Sequence, residues 1–312
     1  MQTSIHVHQL CKSYVGSQVL KNVSFKVEKG TIAGLLGPNG SGKTTIVRLL
    51  NGVILPDSGD MQLHGYSPIT DGDAIRRISG VVTEGAGLYH EMSGVDNLRF
   101  FAKLYDCYDE KRIQELLEQF GLAEAQKRAV GKYSTGMKKR LALAKAILPK
   151  PQILFLDEPT NGLDPEGVQQ VLTDLKKMNE EEGTTIILCS HVLHQLETIC
   201  DCYLFLQDGT IIEQGTKEEI EDKYLRQIKL RVKTGVTING DSYAGYPAQA
   251  LDRHTIVLEL PSKEAIPGLL SQMLQEAWVH EVEIVNNDLE SLYFQVRSES
   301  GYELAAYTSH CS

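Results

Sequence analysis

The chain has 312 residues, 42 % of them hydrophobic and 23 % charged, the ordinary balance of a folded globular protein and far from that of a disordered or fibrous one. At this length it buries a proper core and has room for a main domain plus a smaller one. A formal net charge of -10 excludes a body that holds nucleic acid chiefly by neutralising phosphates, and its apolar runs fall far short of the ~20 residues that a bilayer-spanning helix needs.

Met1 to His6 contain no basic segment leading into an apolar stretch, so no secretion signal is expected and the expected compartment is the cytoplasm. Six scattered cysteines (Cys11, Cys107, Cys189, Cys200, Cys202, Cys311) lack the spacing of a disulfide framework or zinc ribbon and are expected as reduced thiols. From Ile5 to about Gly215, β-rich runs alternate with helical stretches, the pattern of a largely parallel sheet wrapped by helices. Val23 to Val27 and Ile32 to Leu36 are the first clear strands.

Directly after the second strand stands Gly37-Pro38-Asn39-Gly40-Ser41-Gly42-Lys43-Thr44. It fits the phosphate-loop pattern G-x-x-x-x-G-K-[ST] at every fixed position, in the strand-to-helix context that the chemistry requires. Glycines let the backbone curl so that its N–H groups face phosphate oxygens, and the following helix N-terminus adds positive potential. These residues and Thr45 are the candidate contacts to a nucleoside triphosphate, with Lys43 reaching the terminal phosphates and Thr44 a candidate Mg²⁺ ligand.

Further along, Ile113, Leu116, Leu117 and Phe120 recur at helical spacing. Ile153 to Leu156 form an apolar strand that ends in Asp157 and Glu158. Paired with a phosphate loop, Asp157 is the expected Mg²⁺ partner and Glu158 the candidate general base. Asp164-Pro165 then opens an amphipathic helix carrying Val168, Val171, Leu172, Leu175 and Met178, with an N-cap carboxylate and a proline at the first helical position. Thr185 to Cys189 is another buried strand, followed by Ser190-His191. His191, His194, Cys200 and Cys202 are better explained without a metal, the two cysteines lying on one face of an expected strand.

After Gly215 the composition shifts. The sequence divides into a main domain over 1–218, a linker over 219–225, a small α+β domain over 226–297 and a disordered tail over 298–312. The small domain has expected strands at Gln227 to Lys233, His254 to Leu260 and Glu281 to Val285, and a helical stretch from Lys263 to Ala277 interrupted by Pro267-Gly268.

Between the phosphate loop and the Asp157-Glu158 strand, Tyr133-Ser134-Thr135-Gly136-Met137-Lys138-Lys139-Arg140 precedes an Ala/Leu-rich helix and resembles the L-S-G-G-Q signature of ATP-binding-cassette (ABC) ATPases. Pro159 to Asp164 resembles that family's D-loop, and Cys189-Ser190-His191 its switch histidine. With five motifs in the family's order over about residues 3–218, the chain is identified as a member. The resemblance implies an α/β P-loop NTPase cassette with a RecA-like core, an antiparallel β subdomain and a helical subdomain. It also implies a head-to-tail homodimer with two ATP molecules, each held by the phosphate loop of one subunit and by Ser134, Thr135 and Gly136 of the other. By the same resemblance Tyr14 stacks on adenine, Asp164 contributes to the nucleotide site, and His191 contacts the γ-phosphate and positions the attacking water.

Three residues depart from the family pattern. Glu84 stands where most members carry glutamine and is a candidate Mg²⁺ ligand, while Thr135 and Met137 replace glycine and glutamine in the signature. A regulatory cassette that binds ATP and hydrolyses it poorly therefore stays open. A soluble ribosomal ABC ATPase would carry two phosphate loops, and a DNA-repair one a long coiled coil between the motifs; this chain has neither. The wording around Gly87-Leu88-Tyr89 and Asp157 to Pro165 is most similar to cassette subunits of bacterial exporters with separate membrane chains. That likeness implies a membrane subunit docked beside Glu84 to Asn97, with Leu88, Tyr89 and Met92 as candidate lining, and a peripheral position on the inner face of the cell membrane.

Overall fold

Alternation of buried and exposed residues makes the first two runs antiparallel strands, β1 (Thr3–Tyr14) and β2 (Ser17–Glu28). In this computed structural model, which describes residues 3–83, 87–238 and 240–301, they pair Ile5 with Val27 and Val7 with Phe25. The turn between them is closed by Gly16 at φ 79°, a conformation that glycine adopts without steric cost.

The order then runs β3 (Ile32–Leu36), α1 (Lys43–Leu50), β4 (Ser58–Leu63), α2 (Gly72–Ile78), β5 (Ser79–Val82), α3 (Gly94–Leu104) and α4 (Glu110–Gln119). A 3-10 turn at Val130–Lys132 leads into α5 (Thr135–Ile147), β6 (Ile153–Asp157), α6 (Pro165–Glu182), β7 (Thr185–Cys189), α7 (Leu193–Ile199), β8 (Cys202–Gln207) and β9 (Thr210–Gly215). Among the described residues, β2, β1 and β4 form a three-stranded sheet and the remaining strands a six-stranded one in the order β5-β6-β7-β3-β8-β9. Val23 to Val27 thus belong to the antiparallel sheet, not the central one.

In the larger sheet β5, β6, β7, β3 and β8 run parallel. Every residue of β3, β6 and β7 is buried, as expected of strands covered on both faces. Phe155 is fully buried in this core, and its removal to alanine would cost about 3–5 kcal/mol. Register fixes the site: Leu35 and Asp157 both pair with Cys189, so the segments leaving β3, β6 and β7 emerge side by side at the carboxyl edge of the sheet, where open α/β folds bind ligands.

The chain divides into two compact units, Met1–Gln214 and Gly215–Ser312. The second contains α8 (Lys217–Tyr224), β10 (Ile228–Thr234), β11 (Ser242–Tyr243), β12 (Tyr246–Ala250), β13 (Thr255–Leu260), α9 (Ala265–Glu276), β14 (Val279–Ile284) and α10 (Leu289–Glu299). Among the described residues its strands are ordered β11-β12-β13-β10-β14 and bury Leu230, Val232, Ile256 and Leu258 with Leu269 and Met273 of α9.

Several boundaries differ from the sequence reading. Most of the expected linker lies in α8, which is started by a capping box between Thr216 and Glu219, two reciprocal hydrogen bonds that fix a helix end. Pro267 does not interrupt α9 because it sits in the first turn, where its missing N–H has no intrahelical acceptor. Ser298 and Glu299, assigned to the tail, end α10, which Asp288 caps and whose Leu289, Leu292, Tyr293 and Val296 are buried; residues 302–312 lie outside the described ones. Cys200 caps the end of α7 and only Cys202 is on a strand, so the two thiols do not share one strand face.

Candidate functional site

The loop leaving β3 is shaped by glycines with distinct tasks. Gly42, the residue before α1, has φ 112°, and a Cβ there would lie 2.6 Å from Leu20 Cδ2. A Cβ on Gly37 would stand 2.3 Å from the Leu206 carbonyl oxygen, so any side chain would push the loop off the sheet. The loop is closed from within: Lys43 Nζ donates to the carbonyl oxygens of Gly37 at 2.7 Å and Pro38 at 3.1 Å, and Ser41 N–H donates to Pro38 O at 3.2 Å.

Opposite the loop stand the ends of β6 and β7. Thr44 Oγ1 donates to Asp157 Oδ2 at 2.8 Å, placing a hydroxyl and a carboxylate together, both hard oxygen donors of the kind Mg²⁺ prefers. Glu158 has φ 52°, an uncommon backbone state outside glycine that costs of order 1–3 kcal/mol and clusters at functional sites. Its N–H donates to Cys189 O at 2.9 Å. Its Oε1 accepts from His191 N–H at 3.1 Å and from His191 Nδ1 at 2.8 Å, while Oε2 accepts from Ser190 Oγ at 3.3 Å. A carboxylate oxygen accepts, so in this pair His191 Nδ1 is the donor. Behind them, burial and the charges of Asp157 and Glu158 push the Cys189 thiol well up, so it stays neutral.

These groups border one cleft of about 530 Å³, lined by Asn39, Gly40, Gly42, Lys43, Thr44 and Thr45 from the loop and by Asp157, Glu158 and His191 from the strand ends. Val19 and Asn161 also line it; the sequence reading named neither as a contact, although Asn161 falls in the D-loop-like segment. Ser41 is buried, and its Oγ has no hydrogen-bond partner among the described residues. An orphaned hydroxyl in a glycine-rich loop at a helix N-terminus fits a phosphate oxygen, and the Thr44–Asp157 pair fits Mg²⁺.

The other expected contacts are not among the residues that line this cleft. Tyr14 is 43 % exposed, with Lys12 Nζ 5.8 Å from its ring centroid. Ser134 caps α5, its Oγ accepting from Met137 N–H at 3.2 Å, and Thr135 and Gly136 form the first turn behind it. This is a helix N-terminus, the end that favours anions. Asp164 caps α6 through Gly167 N–H. Glu84 lies outside the described residues.

A family profile described as ABC transporter matches residues 20–161. Over 308 residues, covering 96 % of this chain and 98 % of the relative, the sequence is 34 % identical to an uncharacterized ABC transporter ATP-binding protein, YdbJ, of Bacillus subtilis (strain 168). It is 36 % identical over 232 residues, 74 % of this chain and 76 % of the relative, to the bacitracin transport ATP-binding protein BcrA of Bacillus licheniformis. Among solved structures it is similar to a dimeric bacterial ABC transporter cassette, with a TM-score of 0.63, 25 % identity, and coverage of 68 % of this chain and 98 % of that one.

Proposed function

The chain belongs to the ABC transporter family as an ATP-hydrolysing, ATP-binding subunit, and from that premise we propose that two copies, closing head to tail on two ATP molecules, drive export through a separate membrane subunit. The observation that carries this reading is the division of the expected contacts. Most of the loop, Asp157, Glu158 and His191 line one cleft, whereas Ser134, which caps α5, is not among its lining residues. A second cassette is the partner that would bring such a helix end to the phosphates.

In each half-site the loop N–H groups and Lys43 bind the phosphates, so Lys43 exchanges its two carbonyl acceptors for phosphate oxygens on loading. Thr44 and Asp157 are the residues that would hold Mg²⁺, which when bound would supply positive charge to the phosphate oxygens. Glu158 takes the proton of the attacking water, whose oxygen bonds to the γ-phosphorus as the bond to the bridging oxygen breaks. His191 and its own N–H pin Oε1, while Oε2, which among the described residues meets only the longer Ser190 contact, is the oxygen that takes that proton. Asp157, hydrogen-bonded to Thr44, would hold that ion and not take the water's proton.

Docking of the membrane subunit is supported by an aromatic patch on α3 and the loop before it. Tyr89, Phe100 and Tyr105 are between 38 % and 49 % exposed, and Leu104 is 63 % exposed, an apolar concentration of the kind that marks interaction surfaces. It borders a groove of about 890 Å³ lined by Val53, Arg76, Arg77, Val81, Leu104 and Tyr105. Among the described residues no helix is long and apolar enough to cross a membrane. Transport is supported by similarity to a protein named for bacitracin transport, and export is the direction proposed for this chain.

The test is Mg²⁺-dependent ATP hydrolysis against protein concentration, with Glu158→Gln alongside. Specific activity that rises with concentration, and a variant that binds ATP and slows by ~10²–10⁴-fold, are expected. Activity independent of concentration, or a Glu158→Gln variant that turns over normally, would overturn the reading.

A further inference from the structure

Lys139, one turn beyond the cap of α5, is only 7 % exposed, and its Nζ donates to the carbonyl oxygen of Glu158 at 3.1 Å. No carboxylate lies within ion-pairing distance of it among the described residues. A buried ammonium held by one neutral acceptor is costlier to the fold than an apolar side chain of the same length. What it grips is the peptide leaving Glu158, the residue at φ 52°. The Glu158 N–H is held by Cys189 O and the carbonyl by Lys139, so the strained residue is clamped on both sides and its side chain is aimed into the cleft.

The same helix is interlocked with the segment that follows Glu158. A Cβ on Gly136 would come 3.2 Å from Leu163 Cδ2, and one on Gly162 3.2 Å from Thr135 Cγ2. Any shift of the first turn of α5 therefore reaches the 158–163 segment through packing and through the Lys139 hydrogen bond. In a head-to-tail pair, Ser134 of this helix faces the nucleotide held by the other copy, whereas Glu158 faces the nucleotide held by its own loop.

We propose that Lys139 is a positioning residue that couples the two half-sites: engagement of the α5 N-terminus by one nucleotide seats Lys139, which fixes the Glu158 peptide and readies the carboxylate at the other. The inference rests on Glu158 being the base. It predicts positive cooperativity in ATP that is lost when the donor is removed.

The experiment measures steady-state hydrolysis and ATP binding for Lys139→Met, Lys139→Gln and Glu158→Gln in the full chain. Lys139→Met keeps length and volume and loses the donor; its kcat is expected to fall about tenfold, the worth of one charge-assisted hydrogen bond, with ATP affinity near wild type and cooperativity gone. Lys139→Gln, which keeps a neutral donor, is expected to recover most of kcat and the cooperativity. A methionine variant with wild-type kcat and cooperativity, or a glutamine variant as slow as the methionine one, would overturn the proposal. If Lys139→Met does not fold, Lys139→Gln decides alone: near-wild-type cooperative turnover sustains the coupling, and a tenfold loss with intact ATP binding refutes it. If Glu158→Gln itself turns over normally, the base assignment fails; if it is inactive while both Lys139 variants behave as wild type, only the coupling fails.

Discussion

Replacing Ser41 with alanine should make the nucleotide-free protein more stable and its nucleotide binding weaker. The Ser41 side chain is 4 % exposed, and its Oγ has no hydrogen-bond partner among the described residues. A hydroxyl buried in that state carries a desolvation penalty of about 1–3 kcal/mol. Alanine removes the penalty and leaves only the small void of one oxygen, for a net gain of about 1 kcal/mol. For a unit the size of Met1–Gln214, that raises the melting temperature by about 2–4 °C. A hydroxyl donating to a phosphate oxygen is worth about 1.5–3 kcal/mol, so ATP affinity should fall roughly tenfold to hundredfold. Thermal unfolding without nucleotide and ATP titration of the same preparation read the two effects separately. An alanine variant that melts below wild type, or that binds ATP as tightly, would refute the view that this loop holds an orphaned donor in readiness for phosphate.

Asn97 is fully buried; its Oδ1 accepts from Tyr89 N–H at 2.8 Å and its Nδ2 donates to the Tyr89 and Ser93 carbonyls at 2.9 Å. Asn97→Ala should cost about 2–3 kcal/mol by leaving the Tyr89 N–H unpaired and opening a cavity, seen as a lower melting temperature with ATP affinity unchanged. At the surface of the helical region, hydrogen bonds from the Arg99 guanidinium, then from Tyr108, hold the Glu110 carboxyl down at about 2. A depressed carboxylate stabilises the fold above its unfolded value and loses that contribution as pH falls through its folded one. The stability gap between wild type and Glu110→Gln should thus be constant at neutral pH and close from about pH 4.5 down to about 2, as chemical denaturation across that range would show. The gap should be small and shrink with salt, because both partners are 40 % exposed.

What the sequence made legible was local. The phosphate loop, the carboxylates ending β6 and the histidine after β7 each announce themselves within a few residues, and parallel register brings them into one cleft. The capping box at Thr216 and the spacing of Leu289, Leu292, Tyr293 and Val296 behind Asp288 were equally local, yet a charged run and an assumed tail obscured them. Pro267 misled because a proline breaks a helix only beyond its first turn. Lys139 was invisible as anything but part of the signature, since its contact with Glu158 depends on how α5 packs against the end of β6. Val19 lines the cleft only because the antiparallel sheet lies beside the loop, and no periodicity reports that.

That each nucleotide is held by two chains is tested by sedimentation velocity of Glu158→Gln with and without Mg²⁺-ATP, repeated with Ser134→Arg added. A dimer that forms only with ATP is expected, as is a double variant that still binds ATP through the loop but stays monomeric, because the arginine blocks the α5 N-terminus. A single variant that never dimerises with ATP, or a double variant that dimerises as well as the single one, would contradict it.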